Sequence, residues 1–169
     1  MVQRAAGPAH LAAKSAPPGL PDGRGLKVAV LRSSFNAAIV DGLLEGALKA
    51  LDEMGTSRAN VTVVDVPGAF ELPLAAQAAA RGQQCDAVVA LGAVIRGETD
   101  HYEHIARAAT DGLARVALGE SVPVGFGVLT VADAEQARTR AAAGPDNKGA
   151  EAARAAVAMV HVLRKLRHG

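Results

Sequence analysis

The chain has 169 residues, with 18 Lys and Arg against 17 Asp and Glu and a formal net charge of +1. That length predicts one domain with an ordinary core, and so even a charge balance leaves no basic footprint for nucleic acid or an anionic membrane. Apolar residues make up 50% of the chain, yet it has only three Phe, one Tyr and no Trp, so its core must be built from Ala, Val and Leu.

A single cysteine, Cys85, excludes an intramolecular disulfide and a cysteine-based zinc site. Its place just before an apolar strand reads as an ordinary strand edge. No charged-then-apolar leader and no apolar run of about 18 residues is present, which predicts a soluble, cytoplasmic protein.

Residues 1–25 are rich in Ala, Gly and Pro without a hydrophobic period. They read as a flexible tail, disordered alone, with a single folded domain over 26–169. Lys27 to Leu31 is a short buried-type strand, followed by the polar turn Ser33-Ser34-Phe35-Asn36. From Ala37 to Met54 apolar residues recur at helical spacing, with Gly55 as the C-terminal stop. Val61 to Val66 is a second strand closed by Pro67-Gly68, and Leu72 to Arg81 an alanine-rich helix ending at Gly82.

Ala87 to Ile95 is a third strand. It ends in Arg96-Gly97, and a helix is expected from about Thr99 to Leu118, stopped by Gly119. Pro123 to Thr130 is a fourth strand whose proline and two glycines weaken the pattern. Asp133 caps a short helix through Arg140, Gly144 to Asn147 break it, and a last helix runs from about Lys148 to Arg167.

Strands that are continuous apolar runs, alternating with helices, predict an α/β fold: a three-layer α/β/α sandwich around a four-stranded parallel sheet, doubly wound and flavodoxin-like. Ligands of such sheets bind beyond the carboxyl ends of the strands. The unusual residues cluster there. Phe35 is either a plug over a helix end or an aromatic platform for a flat ligand, and Phe70 with Glu71 poses a similar choice. The strand–glycine–helix junction at Gly97, Glu98 and Thr99 suits an anion, because backbone N–H groups and a helix dipole converge on it.

His101, in the first turn of that helix, is weighted towards acid–base work, since an imidazole ordinarily titrates near neutrality. His104 lies one turn on. A metal site built from these two and Asp100 or Glu103 is set aside, because no second cluster completes it. Arg138 and Arg140 diverge by about 200° on a helix, so only one can face the strand ends. Lys148 starts a helix, where a cation is either exposed and tolerated or held by an anion. Arg96 is open between ligand and subunit contact.

Taken in order, Ser34-Phe35-Asn36, Val66-Pro67-Gly68-Ala69-Phe70-Glu71-Leu72-Pro73, Leu91 to Tyr102, Pro123 to Thr130 and Asn147-Lys148-Gly149 closely resemble the motifs of the 6,7-dimethyl-8-ribityllumazine synthase family. The resemblance covers about residues 26 to 163. It implies condensation of 5-amino-6-ribitylaminouracil with 3,4-dihydroxy-2-butanone 4-phosphate, in riboflavin biosynthesis, without metal or organic cofactor. By similarity Phe35 stacks on the pyrimidine, while Ala69, Phe70 and Glu71 hold the ribityl chain. Val94 and Ile95 frame the ring, and Gly97, Glu98 and Thr99 cradle the phosphate.

His101 matches the family's proton-transfer residue, Phe126 lines the site, Arg140 occupies the phosphate-binding position, and Lys148 matches the lysine nearby. The family further implies a homo-pentamer, or an icosahedral assembly of pentamers, with Phe126 and Arg140 entering the pocket from the adjacent subunit. One departure stands out: Ala141 to Asp146 replaces the Gly-Thr-Lys-x-Gly-like turn common in shell-forming members. The competing readings are an archaeal-type riboflavin synthase, a flavodoxin-like flavin-binding module and a structural shell protein without condensation activity. The ribityl and phosphate motifs argue against the first. The short glycine-free turn after strand one argues against the second.

Overall fold

A computed structural model of the protein describes residues 19–82 and 84–168. Its elements in order are β1 (Val28–Ser33), α1 (Ala37–Glu53), β2 (Val61–Val66), α2 (Leu72–Arg81), β3 (Ala87–Ile95), α3 (His101–Glu120), β4 (Val124–Val131), α4 (Ala134–Ala141) and α5 (Lys148–His168). The four strands pair in parallel in the order β2-β1-β3-β4. Leu43, Leu51, Met54, Ala137, Ala153 and Val157 of α1, α4 and α5 pack on one face of the sheet. Leu72, Ala76, Ala109 and Leu113 of α2 and α3 pack on the other. This is the expected three-layer, doubly wound α/β/α arrangement.

Sequence explains the strand order. β3 is apolar without interruption and is buried at every position but its last, as a central strand with helices on both faces must be. β1 is likewise buried apart from Arg32, which reaches Asp41 on α1 at 2.5 Å and Asp65 on the neighbouring edge strand at 3.2 Å. β2 is different. Its middle four residues are exposed, including Val63 and Val64, so the helices of this chain leave the β2 edge uncovered even though its sequence resembles that of a buried strand.

The glycines that weakened the prediction of β4 turn out to be what seats it. A Cβ at Gly125 would overlap the carbonyl of Ala152 on α5, and one at Gly127 would lie 2.6 Å from Leu91 Cδ2. Glycine at 125 lets α5 settle directly onto the strand, and glycine at 127 makes room chiefly for Leu91 of β3. Between them Phe126 points to the opposite face and is exposed.

Two helix boundaries also differ from expectation. α3 begins at His101 rather than near Thr99, and it passes through Gly119 to end at Glu120, with Ser121 taking the left-handed backbone at φ 53°. Gly119 is open to solvent. There a helical glycine costs only about 1 kcal/mol relative to alanine, too little to end a helix anchored by Leu113 and Val116.

Of the segment expected as tail, residues 1–18 lie outside the described residues. From Leu20 onward the chain is already packed: Gly23 N–H donates to Met54 O at 2.7 Å, Leu26 is buried, and the imidazole of His161 meets Asp22 O. The Arg24 guanidinium forks onto the Asp22 carboxylate at 2.7 to 3.1 Å and, by these hydrogen bonds, lowers its pKa to about 2. Cys85 is half-buried, and burial raises its thiol pKa, so it is a poor nucleophile. Among the described residues no helix is long and apolar enough to cross a membrane.

The β4–α5 contact makes a direct stability prediction. Gly125→Ala is expected to lower unfolding free energy by about 2–3 kcal/mol, since a methyl group there displaces helix backbone and not a flexible side chain. Equilibrium urea unfolding measures it, and an unchanged midpoint would contradict the close packing.

Candidate active site

The turn after β1 is fixed from both sides. Ser34 N–H donates to Val66 O at 2.8 Å and Phe35 N–H to Pro67 O at 3.1 Å, tying it to the end of β2. On the other side Asn36 Nδ2 donates to Ala93 O of β3 at 2.8 Å. Asn36 itself adopts the left-handed conformation at φ 59°, which asparagine tolerates better than most residues. The result presents Phe35, 71% exposed, above the junction of the two central strands.

Beside it, Ala69–Glu71 makes a single 3-10 turn between β2 and α2, with Ala69 buried, Phe70 59% exposed and Glu71 half-buried. Gly92 of β3 seats this turn: a Cβ there would meet Leu72, Ser33 and Ala69 at 3.3 to 3.6 Å. The Glu71 carboxylate lies over Gly68 and forms no salt bridge among the described residues. It is therefore free to accept hydrogen bonds from hydroxyl groups.

At the end of β3, Val94 turns towards the α2–α3 layer and Ile95 towards the α1–α5 layer. Arg96 N–H donates to Val131 O at 2.9 Å, carrying the ladder one residue past the strand. Gly97 to Asp100 then run exposed, and α3 starts with Glu103 N–H donating to Asp100 O at 3.0 Å. The N–H groups of Gly97, Glu98 and Thr99 have no backbone acceptor among the described residues. Solvent-facing donors just before a helix N-terminus are suited to an anion. They lie immediately before the helix, at the junction where the sequence pattern placed them.

Helix periodicity separates the two histidines. Tyr102 and Ile105 pack onto the α2–α3 core. At about 100° per residue His101 lies about 70° from the middle of that face and His104 about 60° further round, on the side away from the sheet. α3 also packs against the Ala69–Glu71 turn, so His101 belongs to the same corner as Phe70 and Glu71.

A second group gathers on the far side of the sheet. A cavity of about 260 Å³ at the open edge of β4 is lined by Phe126, Thr130, Arg140 and Lys148 among others. Arg140 donates to Gln136 O at 3.1 Å and has no carboxylate partner among the described residues, whereas Arg138 is paired with Glu135 at 3.1 Å. Arg138 is thus held in an ion pair, and Arg140, among the described residues, is not. Lys148 Nζ reaches both carboxylate oxygens of Glu151 at 2.8 Å. That internal anion offsets the unfavourable helix dipole.

Within one chain Phe35 and Phe126 belong to strands that are not neighbours, although Val94 and Ile95 pair with Thr130 and Val131 of the β4 cavity. Phe35 stands beyond β1, two strand spacings or about 10 Å from β4. Phe126 pairs with Ala90, four residues before the Val94–Thr130 pair near the end of the ladder, and it sits on the outer edge strand. Phe35, Ala69, Phe70, Glu71, Val94, Ile95, Gly97, Glu98, Thr99 and His101 lie at or beyond the carboxyl ends of β1, β2 and β3, while Phe126, Arg140 and Lys148 line the β4 cavity. Sequence reasoning missed what fixes these corners, namely the Asn36 clamp and the buried Asn147. A turn asparagine directly before a helix was the available signal for Asn36.

By sequence the chain resembles known proteins. Residues 25–164 match the family model described as 6,7-dimethyl-8-ribityllumazine synthase. A 6,7-dimethyl-8-ribityllumazine synthase of Edwardsiella ictaluri (strain 93-146) is 54% identical over 142 residues, covering 83% of this chain and 91% of that protein.

The Asn36 clamp yields a paired prediction. Asn36→Ala should cost about 2–3 kcal/mol in urea unfolding, from left-handed strain plus a lost hydrogen bond. Asn36→Gly should cost less, because glycine removes the strain and only the bond to Ala93 is missing. Equal losses would show that backbone conformation plays no part.

Proposed function

The chain belongs to the 6,7-dimethyl-8-ribityllumazine synthase family, and on that basis we propose that two copies of it complete each active site. The enzyme condenses 5-amino-6-ribitylaminouracil with 3,4-dihydroxy-2-butanone 4-phosphate. The observation that carries the proposal is the separation of the two corners: an aromatic, carboxylate and N–H donor group at the β1–β3 ends, and an arginine–lysine cavity at the open β4 edge. Joined face to face across neighbouring chains, they supply every contact the two substrates require.

In this arrangement Phe35 stacks on the pyrimidine, and backbone groups of Val94 and Ile95 frame its edge. Ala69, Phe70 and Glu71 take the ribityl chain, with the Glu71 carboxylate accepting from its hydroxyls. Gly97, Glu98 and Thr99 direct N–H groups at the phosphate. The neighbour's copies of Arg140 and Lys148 add positive charge, and its copy of Phe126 closes the apolar side. The exposed apolar residues Val63, Val64, Leu74 and Leu118 support burial against further copies in a homo-pentamer or a larger assembly of pentamers. A cytoplasmic setting is in keeping with these small polar substrates.

The chemistry asks little of the protein beyond position and protons. The uracil amine adds to the ketone carbonyl and water leaves to give an imine. Phosphate is then eliminated, and the second amine closes the ring with loss of another water. His101, beside the phosphate cradle, moves protons in these steps, with bound water as relay. Holding two reactants in register supplies much of the rate.

Lumazine formation from the two substrates, followed by its fluorescence, tests the reading. His101→Ala should slow turnover by about 10² while leaving measurable activity; wild-type turnover across neutral pH would remove the acid–base role. Arg140→Ala should raise KM for the phosphorylated substrate and lower kcat, and an unchanged response to that substrate would remove Arg140 from the site. Sedimentation should show an oligomer. A fully active monomer would overturn the shared pocket.

A further inference from the structure

Asn147, between α4 and α5, is a buried polar side chain, 2% exposed. Its Nδ2 group lies 2.8 Å from Ala141 O, 3.0 Å from Gly42 O and 3.1 Å from Ala142 O, while its Oδ1 accepts from Ala150 N–H at 3.0 Å. One amide thus joins the end of α4, the second turn of α1 and the start of α5. The two amide hydrogens are shared among three carbonyls. Space for this joint is made by glycines: a Cβ at Gly46 would overlap the Asn147 amide, one at Gly42 would stand 2.5 Å from Ala141 O, and one at Gly149 would overlap the Leu43 carbonyl.

The joint sits between two functional side chains. Arg140 directly precedes Ala141, and Lys148 directly follows Asn147. The residues between, Ala142 to Asp146, are exposed, and their backbone is otherwise tied by a single bond from Asn147 N–H to Gly144 O at 3.4 Å. The spacing of the two cations across that loop therefore depends on the Asn147 side chain.

We propose that Asn147 is a positioning residue for the phosphate: it sets Arg140 and Lys148 at the separation needed to grip the phosphorylated substrate. This rests on the reading of Arg140 given above. Capping of α5 alone does not account for asparagine, since serine or aspartate caps equally well. The carbonyls of Ala141, Ala142 and Gly42 require a side chain that also donates.

Asn147→Ser separates the two roles, because serine keeps an oxygen for Ala150 N–H and loses the donation to Ala141 and Gly42. KM for 3,4-dihydroxy-2-butanone 4-phosphate should rise about tenfold, as misplacement of a binding group by a fraction of an ångström does. KM for the ribitylaminouracil should stay near wild type, and inhibition by inorganic phosphate should weaken in parallel. A merely structural role would lower the melting temperature and leave both KM values unchanged, and that result overturns the proposal.

Should Asn147→Ser not fold, Gly46→Ala keeps the asparagine and presses on its amide from α1. It is expected to show the same split between the two KM values, and a normal KM for the phosphorylated substrate in folded Gly46→Ala overturns the proposal equally. Arg140→Ala in the same assay keeps the two levels distinct. No effect there defeats the assignment of Arg140, whereas an effect there with none in Asn147→Ser defeats only the positioning role.

Discussion

Pairing of β1 with β3 is the constraint from which the rest of the molecule follows. Arg32 opposite Leu91 and Val28 opposite Ala87 fix where each strand stops relative to the other, so the turn carrying Phe35 and the loop carrying Gly97 emerge at neighbouring points. Both strands are buried on two faces, and a slip of one residue would exchange every side chain between the two helix layers. Register is thereby set by burial, and the substrate corner inherits its geometry from that register. Asn36, donating from the turn to Ala93, adds the last tie across the same pair.

Close approach between helix and strand is the second organising feature. With so few aromatic residues, the core is filled by Ala, Val and Leu, and glycine appears where backbone meets backbone. Gly125 brings α5 onto β4, Gly127 makes room chiefly for Leu91 of β3, Gly92 brings the Ala69–Glu71 turn onto β3, and Gly42, Gly46 and Gly149 bring α1, α4 and α5 together around Asn147. Each contact lies beside a residue of the proposed site: Phe126 between the β4 glycines, Phe70 and Glu71 on the turn, and Arg140 and Lys148 at the helix joint. Small residues thus determine where the large and charged ones stand. Such joints are rigid because densely packed interiors offer no room to slide.

Exposure is distributed in a way that a single chain does not satisfy. β2 shows valines to solvent, Phe126 stands on an edge strand 45% exposed, and the arginine–lysine cavity lies at that same β4 strand. An exposed edge and apolar face of this kind is normally covered by a further element or another chain. The proposed shared site uses that incompleteness, because the half-pockets left open are complementary in chemistry: N–H donors and an imidazole on one, cations and a phenyl ring on the other.

The order of strands and helices, the parallel sheet and the position of Phe35, Glu71, Gly97 and His101 beyond strand ends were legible in the sequence itself. Apolar runs of strand length and helical spacing report burial directly, and ligand residues collect at the ends of strands. The family resemblance rested on motifs with the same origin. Tertiary structure alone decided what depends on contacts between distant segments. It made Gly125 of β4 a seat for α5 and not a weak point, and it carried α3 past Gly119 because Leu113 and Val116 anchor that helix. It left β2 bare, placed Asn147 against Gly42 and Gly46 of a helix about a hundred residues earlier, and set Phe126 and Arg140 apart from Phe35. Local pattern records what each residue prefers beside its neighbours in the chain; which backbone it must touch across the fold is fixed only when the layers pack.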